Sequence, residues 1–239
     1  ANPGQAGATS LEHAMVAARA RVLSNPGVDT LRQWVQEPQG IGFAAQPPQR
    51  RAAALYAAAL GAQQLRDTAG ARSAVQKLEA LAQADPAALR LVRLLRAEIE
   101  LAAGDASAAQ TALPEAKGVG TNTRRPELLL RTRVLLQAGQ ASAGTSALQT
   151  WVANHPKDAS AWQLLAAVWQ AQGQGLRAIR AEAEAHAARY DYAAAVDRFK
   201  AGQDLARRGG AAADHIEASI IDTRLRAMES LLREQAAER

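Results

Sequence analysis

Along most of this chain apolar and polar positions recur with a helical period. The clearest run is Pro156 to Phe199, PKDASAWQLLAAVWQAQGQGLRAIRAEAEAHAARYDYAAAVDRF. Trp162, Leu165, Ala166 and Trp169 fall three, one and three residues apart, on one face of a helix. Gly173 closes that helix, and the next carries the small residue Ala178 where two antiparallel helices would cross. Small side chains there let helix axes approach to about 8–10 Å. The run predicts a helical hairpin.

The order large–x–x–Leu–small–x–x–aromatic, a glycine turn, then a small crossing residue is the pattern of a tetratricopeptide repeat. Earlier stretches repeat it. One pair is RRAAALYAAALGAQQLRD with AGARSAVQKLEALAQADP, where Ala74, Leu78 and Pro86 take the second-helix and terminating positions and Asp67–Gly70 reads as a long linker. The next is AALRLVRLLRAEIELAAGD with ASAAQTAL, marked by Ala97, Gly104-Asp105 and Ala109. Pro114 and KGVGTNT interrupt the pattern. A third pair follows, with Gly139, Gly144, Leu148 and Pro156 in phase and Thr132 in place of a small apolar residue. Ala183, Asp191, Ala195 and Phe199 keep the same phase, so the helix near 176–189 serves two overlapping units.

The ends differ. Residues 1–9 read as a disordered linker or cloning remnant, and 10–47 as N-terminal helices and a loop. Thr9 and Glu12 form a capping box before Leu11, Met15, Ala18 and Val22. Asp29 is placed to cap a shorter helix bearing Leu31, Trp34 and Val35, which should stop before Pro38. Residues 37–48 read as a loop whose apolar tip, Ile41 and Phe43, is expected to pack. Residues 48–208 form the repeat array. Gly209-Gly210 stop it, and Asp214 with Glu217 resembles a second capping box opening a terminal helix within 211–239. Its stripe is Ile216, Ile220, Ile221, Leu225, Met228, Leu231 and Leu232. A solenoid needs an end that covers its last apolar face, so this helix reads as a cap rather than half of a coiled coil. The expected fold is an all-α solenoid of stacked antiparallel helix pairs with N-terminal helices and a long C-terminal capping helix.

Composition agrees. Of 239 residues 48% are hydrophobic but only 4% aromatic, so alanine and leucine carry the apolar count and a large sheet is excluded. No cysteine is present, which removes disulfides, thiolate catalysis and thiolate metal sites. No apolar run approaches the roughly 18 residues of a membrane span. Net charge is +5, but the arginines are scattered and lack aromatic interleaving, so they read as solvated helix faces and no nucleic-acid partner is expected.

Candidate chemistry is sparse. No two of His13, His155, His186 and His215 are four apart, and there is no H-E-x-x-H. Gly118-Val119-Gly120 and Gly173-Gln174-Gly175 are turns, not phosphate loops. Glu98 and Glu100, and likewise Glu182 and Glu184, are two apart on helices, so each pair diverges. Catalytic, cofactor and metal residues are therefore none, and an enzyme is not expected. Phasing the repeats places Leu94, Glu98, Leu101, Leu129, Arg133, Leu136, Gln163, Ala167 and Gln170 on the first-helix face that would line a protein-binding groove. For the apolar members, packing between repeats is the competing role. Trp162 and Trp169 read as core; Trp34 and Trp151 are less constrained and either could meet a partner.

Two stretches go beyond a generic repeat. SLEHAMVAARARVL (10–23) resembles the segment after the protease domain in bacterial periplasmic Ste24-like (M48) zinc metalloproteases, and RYDYAAAVDRFKAGQDLA with DHIEASIIDTRLRAMESLL resembles the end of the same proteins. The resemblance covers most of residues 10–235, but the family's zinc motif is missing. It implies the non-catalytic C-terminal part of such a protease, in the periplasm, with zinc only in the missing domain. The implied partners are the chain's own N-terminal protease domain, the barrel-assembly machinery, or unfolded outer-membrane proteins. The alternatives are a generic tetratricopeptide scaffold or co-chaperone, a chain that itself hydrolyses protein, and a binder of nucleic acid or acidic partners.

Overall fold

A computed structural model describes residues 10–113, 124–209 and 214–237. Among them all regular structure is helical. The chain divides into two compact units, residues 1–117 and 118–239. The division falls inside the span read from sequence as one array.

In the first unit α1 (Leu11–Leu23) and α2 (Val28–Gln36) precede two hairpins, α3 (Pro48–Gln64) with α4 (Thr68–Ala82) and α5 (Pro86–Ala102) with α6 (Ala106–Ala112). Helix α3 is the hub and packs against α1, α2, α4 and α5. Its middle, Ala54 to Ala62, is buried without a break. Alanine and Gly61 make this possible: they present no bulk on any side, so four helices reach the same backbone. A β-carbon on Gly61 would come to 3.6 Å from the Leu31 and Val35 side chains of α2, so α2 lies close over this glycine. Met15, Ala18 and Val22 of α1 pack into the same core.

The second unit runs α7 (Arg125–Gln137), α8 (Ala141–Asn154), α9 (Ala159–Ala171), α10 (Gly175–Ala187), α11 (Tyr192–Arg208) and α12 (His215–Ala237). Each packs on the next. Trp162, Leu165, Ala166 and Trp169 are buried with Leu148 and Ala178, in keeping with the helical period. Thr132, which stands in place of a small apolar residue, is also buried. Its hydroxyl donates to the Leu128 carbonyl, and its methyl lies where a β-carbon on Gly144 would come to 3.2 Å, so glycine on α8 compensates the larger residue on α7.

One turn recurs. The hairpins α3–α4, α5–α6, α7–α8 and α9–α10, and also α10–α11, close through a residue at positive φ: Arg66 (61°), Gly104 (85°), Gly139 (73°), Gly173 (71°) and Tyr190 (62°). In each, the following N–H bonds back across five residues, as in Asp67 to Ala62 (2.8 Å), Gln174 to Trp169 (2.9 Å) and Asp191 to His186 (3.1 Å). This Schellman closure satisfies the last carbonyls of one helix, while Asp67, Asp105 and Asp191 cap the next. Its presence at α10–α11 makes α10 the second helix of one hairpin and the first of another, as the overlapping phase predicted.

Several boundaries depart from the sequence reading. The first N-cap is Ser10, whose hydroxyl accepts from His13 N–H; Thr9 lies outside the described residues. Asp29 sits inside α2, which begins behind Gly27 with no side-chain cap. Residues 37–39 and 43–45 form 3-10 turns; Phe43 packs on the core, but Ile41 is fully exposed because it stands at the turn between them. The linker after α3 is short, since α4 starts at Thr68 within the expected Asp67–Gly70. Pro86 opens α5 at its first turn, where a missing N–H costs nothing. Pro114 to Thr123 and Gly210 lie outside the described residues.

Helix α12 covers α11, burying Phe199 against Ile221, Leu225 and Met228. Its apolar stripe is consumed inside the unit. Ile216, expected on that stripe, is 77% exposed, and Glu217 occupies the buried register instead. The reason is electrostatic. Three pairs tie α12 and its N-cap to α10: Arg177–Asp214 (3.1 Å), Arg180–Glu217 (2.8 Å) and Arg224–Glu184 (2.6 Å). Asp214 also caps α12 by accepting from Glu217 N–H. Burial pushes the Glu217 carboxyl up, and Arg180 opposes the shift.

The α8–α9 junction is held by Asp158. Its carboxylate accepts from Arg125 Nε (2.6 Å) and Nη2 (2.8 Å), from Trp151 Nε1 (2.9 Å) and from Ala161 N–H (3.2 Å). The Arg125 guanidinium, aided by the Trp151 and Ala161 donors, holds this carboxyl well below the usual range despite its burial. A carboxylate with a depressed folded pKa contributes stability that is fully present above its unfolded pKa and is lost as pH falls towards the folded one. Asp158→Asn should therefore lose about 1–3 kcal/mol at pH 7, and the gap to the parent should shrink below about pH 4. Urea unfolding followed by tryptophan fluorescence across that range checks it; an equal gap at pH 3 and pH 7 refutes it.

Candidate protein-interaction surface

The nine groove residues fall in both units. On α5, Leu94 is buried and Leu101 half-buried. Glu98 is committed: both its oxygens accept from Arg19 of α1, at 2.8 and 3.1 Å, and Arg19 also donates to the buried Tyr56 hydroxyl of α3 at 3.2 Å. Glu12 of α1 faces Arg90 of α5 at 3.7 Å. Helix α1 thus lies against the two first helices of this unit and occupies the face predicted to bind. The expectation that Glu98 lines an open groove is corrected by this ion pair. Arg19 shares a helix face with Met15, Ala18 and Val22, which could have signalled a paired charge; its partner, 79 residues away, carried no local signal.

In the second unit Leu129 is buried in the core shared by α7 to α10, and Leu136 packs at its margin. Packing is their role. Arg133 is exposed. On α9, Gln163, Ala167 and Gln170 are all exposed, four and three residues apart, on the side opposite the buried Leu165. This row of two amides and a methyl has a polar end that sequence reasoning missed. Arg189 donates to Gln163 Oε1 at 2.7 Å. Beside it, Tyr190 is 58% exposed, Lys157 approaches its ring at 6.0 Å, and Tyr192 meets it edge-on at 6.4 Å. The available signal was a tyrosine before Asp191 where Gly104, Gly139 and Gly173 stand in the sister turns.

The tryptophans are accounted for within the fold. Trp151 stacks on His155 at 3.9 Å, Arg21 lies over Trp34 at 4.8 Å, and Trp162 Nε1 donates to the Pro156 carbonyl at 3.0 Å. The close carboxylates diverge as expected: Glu98 meets Arg19 while Glu100 accepts from Arg72, and Glu182 faces Arg198 while Glu184 meets Arg224. So several arginines read as solvated instead join helices. Among the described residues no group of three or more His, Asp or Glu gathers where it could hold a metal ion. A cleft of about 120 Å³ between α2, α3 and α4, lined by Val35, Leu55, Ala74 and Lys77, falls below the roughly 300 Å³ usual for a small-molecule site. No described helix is long and apolar enough to cross a membrane.

Removing the α1 clasp should loosen α1 first. Glu98→Gln leaves Arg19 facing an uncharged amide at a cost of about 1–3 kcal/mol. Amide exchange across Met15–Val22 should accelerate, with α7 to α12 unchanged. A double-mutant cycle with Arg19→Met should return a coupling of about 0.5–3 kcal/mol; additivity would show that the pair does not hold α1.

The chain matches no protein-family model and no curated protein.

Proposed function

We propose that this chain is a non-catalytic, tetratricopeptide-type binding module that engages protein partners through the outer face of α9. The observation that carries this reading is the split of one helix. Trp162, Leu165 and Trp169 are buried, while Gln163, Ala167 and Gln170 stand exposed in the register that a repeat presents to ligands. Exposed glutamines on a rigid helix can both donate to and accept from a peptide backbone. The small Ala167 between them leaves room for a chain to approach.

The two ends that resemble a periplasmic metalloprotease extend the proposal. They support a C-terminal module working beside a zinc protease domain in outer-membrane assembly and quality control. Its partners would be that domain, the barrel-assembly machinery or unfolded outer-membrane proteins. Zinc and catalysis would belong to the other domain. A scaffold or co-chaperone unconnected with proteolysis is the reading to fall back on if those partners are absent.

A photo-crosslinking amino acid placed at Gln163 or Gln170 should give adducts with barrel-assembly components or outer-membrane proteins in envelope extract. The same group at Gln76, exposed on α4, should not. Equal labelling at all three positions, or none at 163 and 170, counts against the α9 face. Adducts confined to other proteins favour the general scaffold.

A further inference from the structure

Four of the five Schellman turns place glycine or an exposed arginine at the left-handed position; the fifth places Tyr190 there, at φ 62°. A β-carbon is unfavourable in that conformation, and glycine is the residue it favours. The tyrosine is not compensated by burial, since more than half of it is exposed. Its neighbours within the fold are the edge of Tyr192 and the ammonium of Lys157.

The charges around it are also unbalanced. Among the described residues Lys157, which approaches the ring, and Arg189, next to Tyr190 in the chain, make no ion pair, a state they share with Arg133, Arg208, Arg226 and Arg233 of the same unit; what sets these two apart is the exposed aromatic beside them. The adjacent carboxylates are engaged. Asp158 is saturated by Arg125, Trp151 and Ala161 N–H. Asp191 caps α11 through Ala194 N–H and faces His186 Nδ1 at 3.6 Å. Arg189 connects this corner to Gln163, the first member of the exposed α9 row.

We infer that Lys157, Arg189 and Tyr190 form an anchor for an acidic segment of a protein partner. A carboxylate of the segment would meet the two cations, an adjacent apolar side chain would lie on the Tyr190 ring, and the segment's backbone would continue along Gln163 and Gln170. The inference rests on α9 being the binding face and adds the chemistry of what binds there. Two cations without carboxylate partners beside an exposed aromatic complement an acidic-apolar sequence. They oppose a basic one.

The test uses a fluorescein-labelled 12-residue peptide of alternating Glu and Leu, and the same peptide with Gln for Glu, read by anisotropy at low and physiological salt. The acidic peptide should bind saturably and weaken as salt rises; the Gln version should bind at least tenfold more weakly. Tyr190→Gly relaxes the turn, so the variant should fold at least as well by thermal melt, yet lose tenfold or more in affinity. Lys157→Glu with Arg189→Glu should abolish binding. No binding of the acidic peptide, equal binding of the Gln peptide, or unchanged affinity in Tyr190→Gly overturns the anchor. Crosslinks at Gln163 that survive Tyr190→Gly would also overturn it while leaving α9 as the binding face; loss of all crosslinks in the parent chain would remove that face itself.

Discussion

The constraint behind this structure is how little an alanine offers to hold a helix in place. Burying apolar surface stabilises by about 25 cal/mol per Å², and an alanine contributes one methyl where leucine contributes four carbons. The crossings here are built on alanine: Ala52 to Ala62 in α3, Ala97 in α5, Ala166 and Ala178 between α9 and α10, Ala183 and Ala195 between α10 and α11. Such crossings are close and well packed but weakly anchored against sliding or detachment. Direction and register need other devices, and the molecule uses two.

The first device is the Schellman turn with its αL residue, followed in three of the five cases by an aspartate cap. At those five junctions it fixes where one helix ends and the next begins, whatever the side chains between. The second is the arginine–carboxylate pair reaching between helices: Arg19–Glu98, Arg72–Glu100, Arg125–Asp158, Arg180–Glu217 and Arg224–Glu184. Glu100, Glu184 and Glu217 are almost entirely buried. Desolvation offsets much of the attraction in such pairs, so their net stabilisation is modest. Their effect is on specificity. A buried carboxylate that loses its arginine is strongly unfavourable, so a helix shifted by one turn is penalised even where the alanine contacts would tolerate it.

That division explains what could be read in the sequence. Helical period, small crossing residues and turn glycines are local, and they gave the helix pairs, the burial of Trp162 and Trp169, and the shared helix α10. Ion pairs are not local. Nothing in the residues around Glu98 points to Arg19, so a residue that phasing assigned to a ligand face turned out to hold α1. The same blindness put Ile216 on the stripe of α12, because periodicity scores an isoleucine above a glutamate and cannot see Arg180. Asp29 failed as a cap, and Ser10 was not singled out as one, for a simpler reason: several residues near a helix start can cap it, and composition alone does not choose among them.

The two units use the equivalent face differently. In the first, α1 covers α3 and α5 with Met15, Ala18 and Val22 and closes the contact with Arg19, so the face is filled by the chain itself. In the second, the α9 row carries no such helix among the described residues and is polar, which keeps it stable in water without a cover. A face meant for permanent burial would be apolar, as the stripe of α12 is where it meets α11. One meant for reversible contact does better with amides, whose hydrogen bonds water satisfies when no partner is present. At its edge stands Tyr190, in a backbone conformation that would be easier without it. The fold would keep the turn with glycine there, as it does at Gly173, so the backbone does not require the tyrosine.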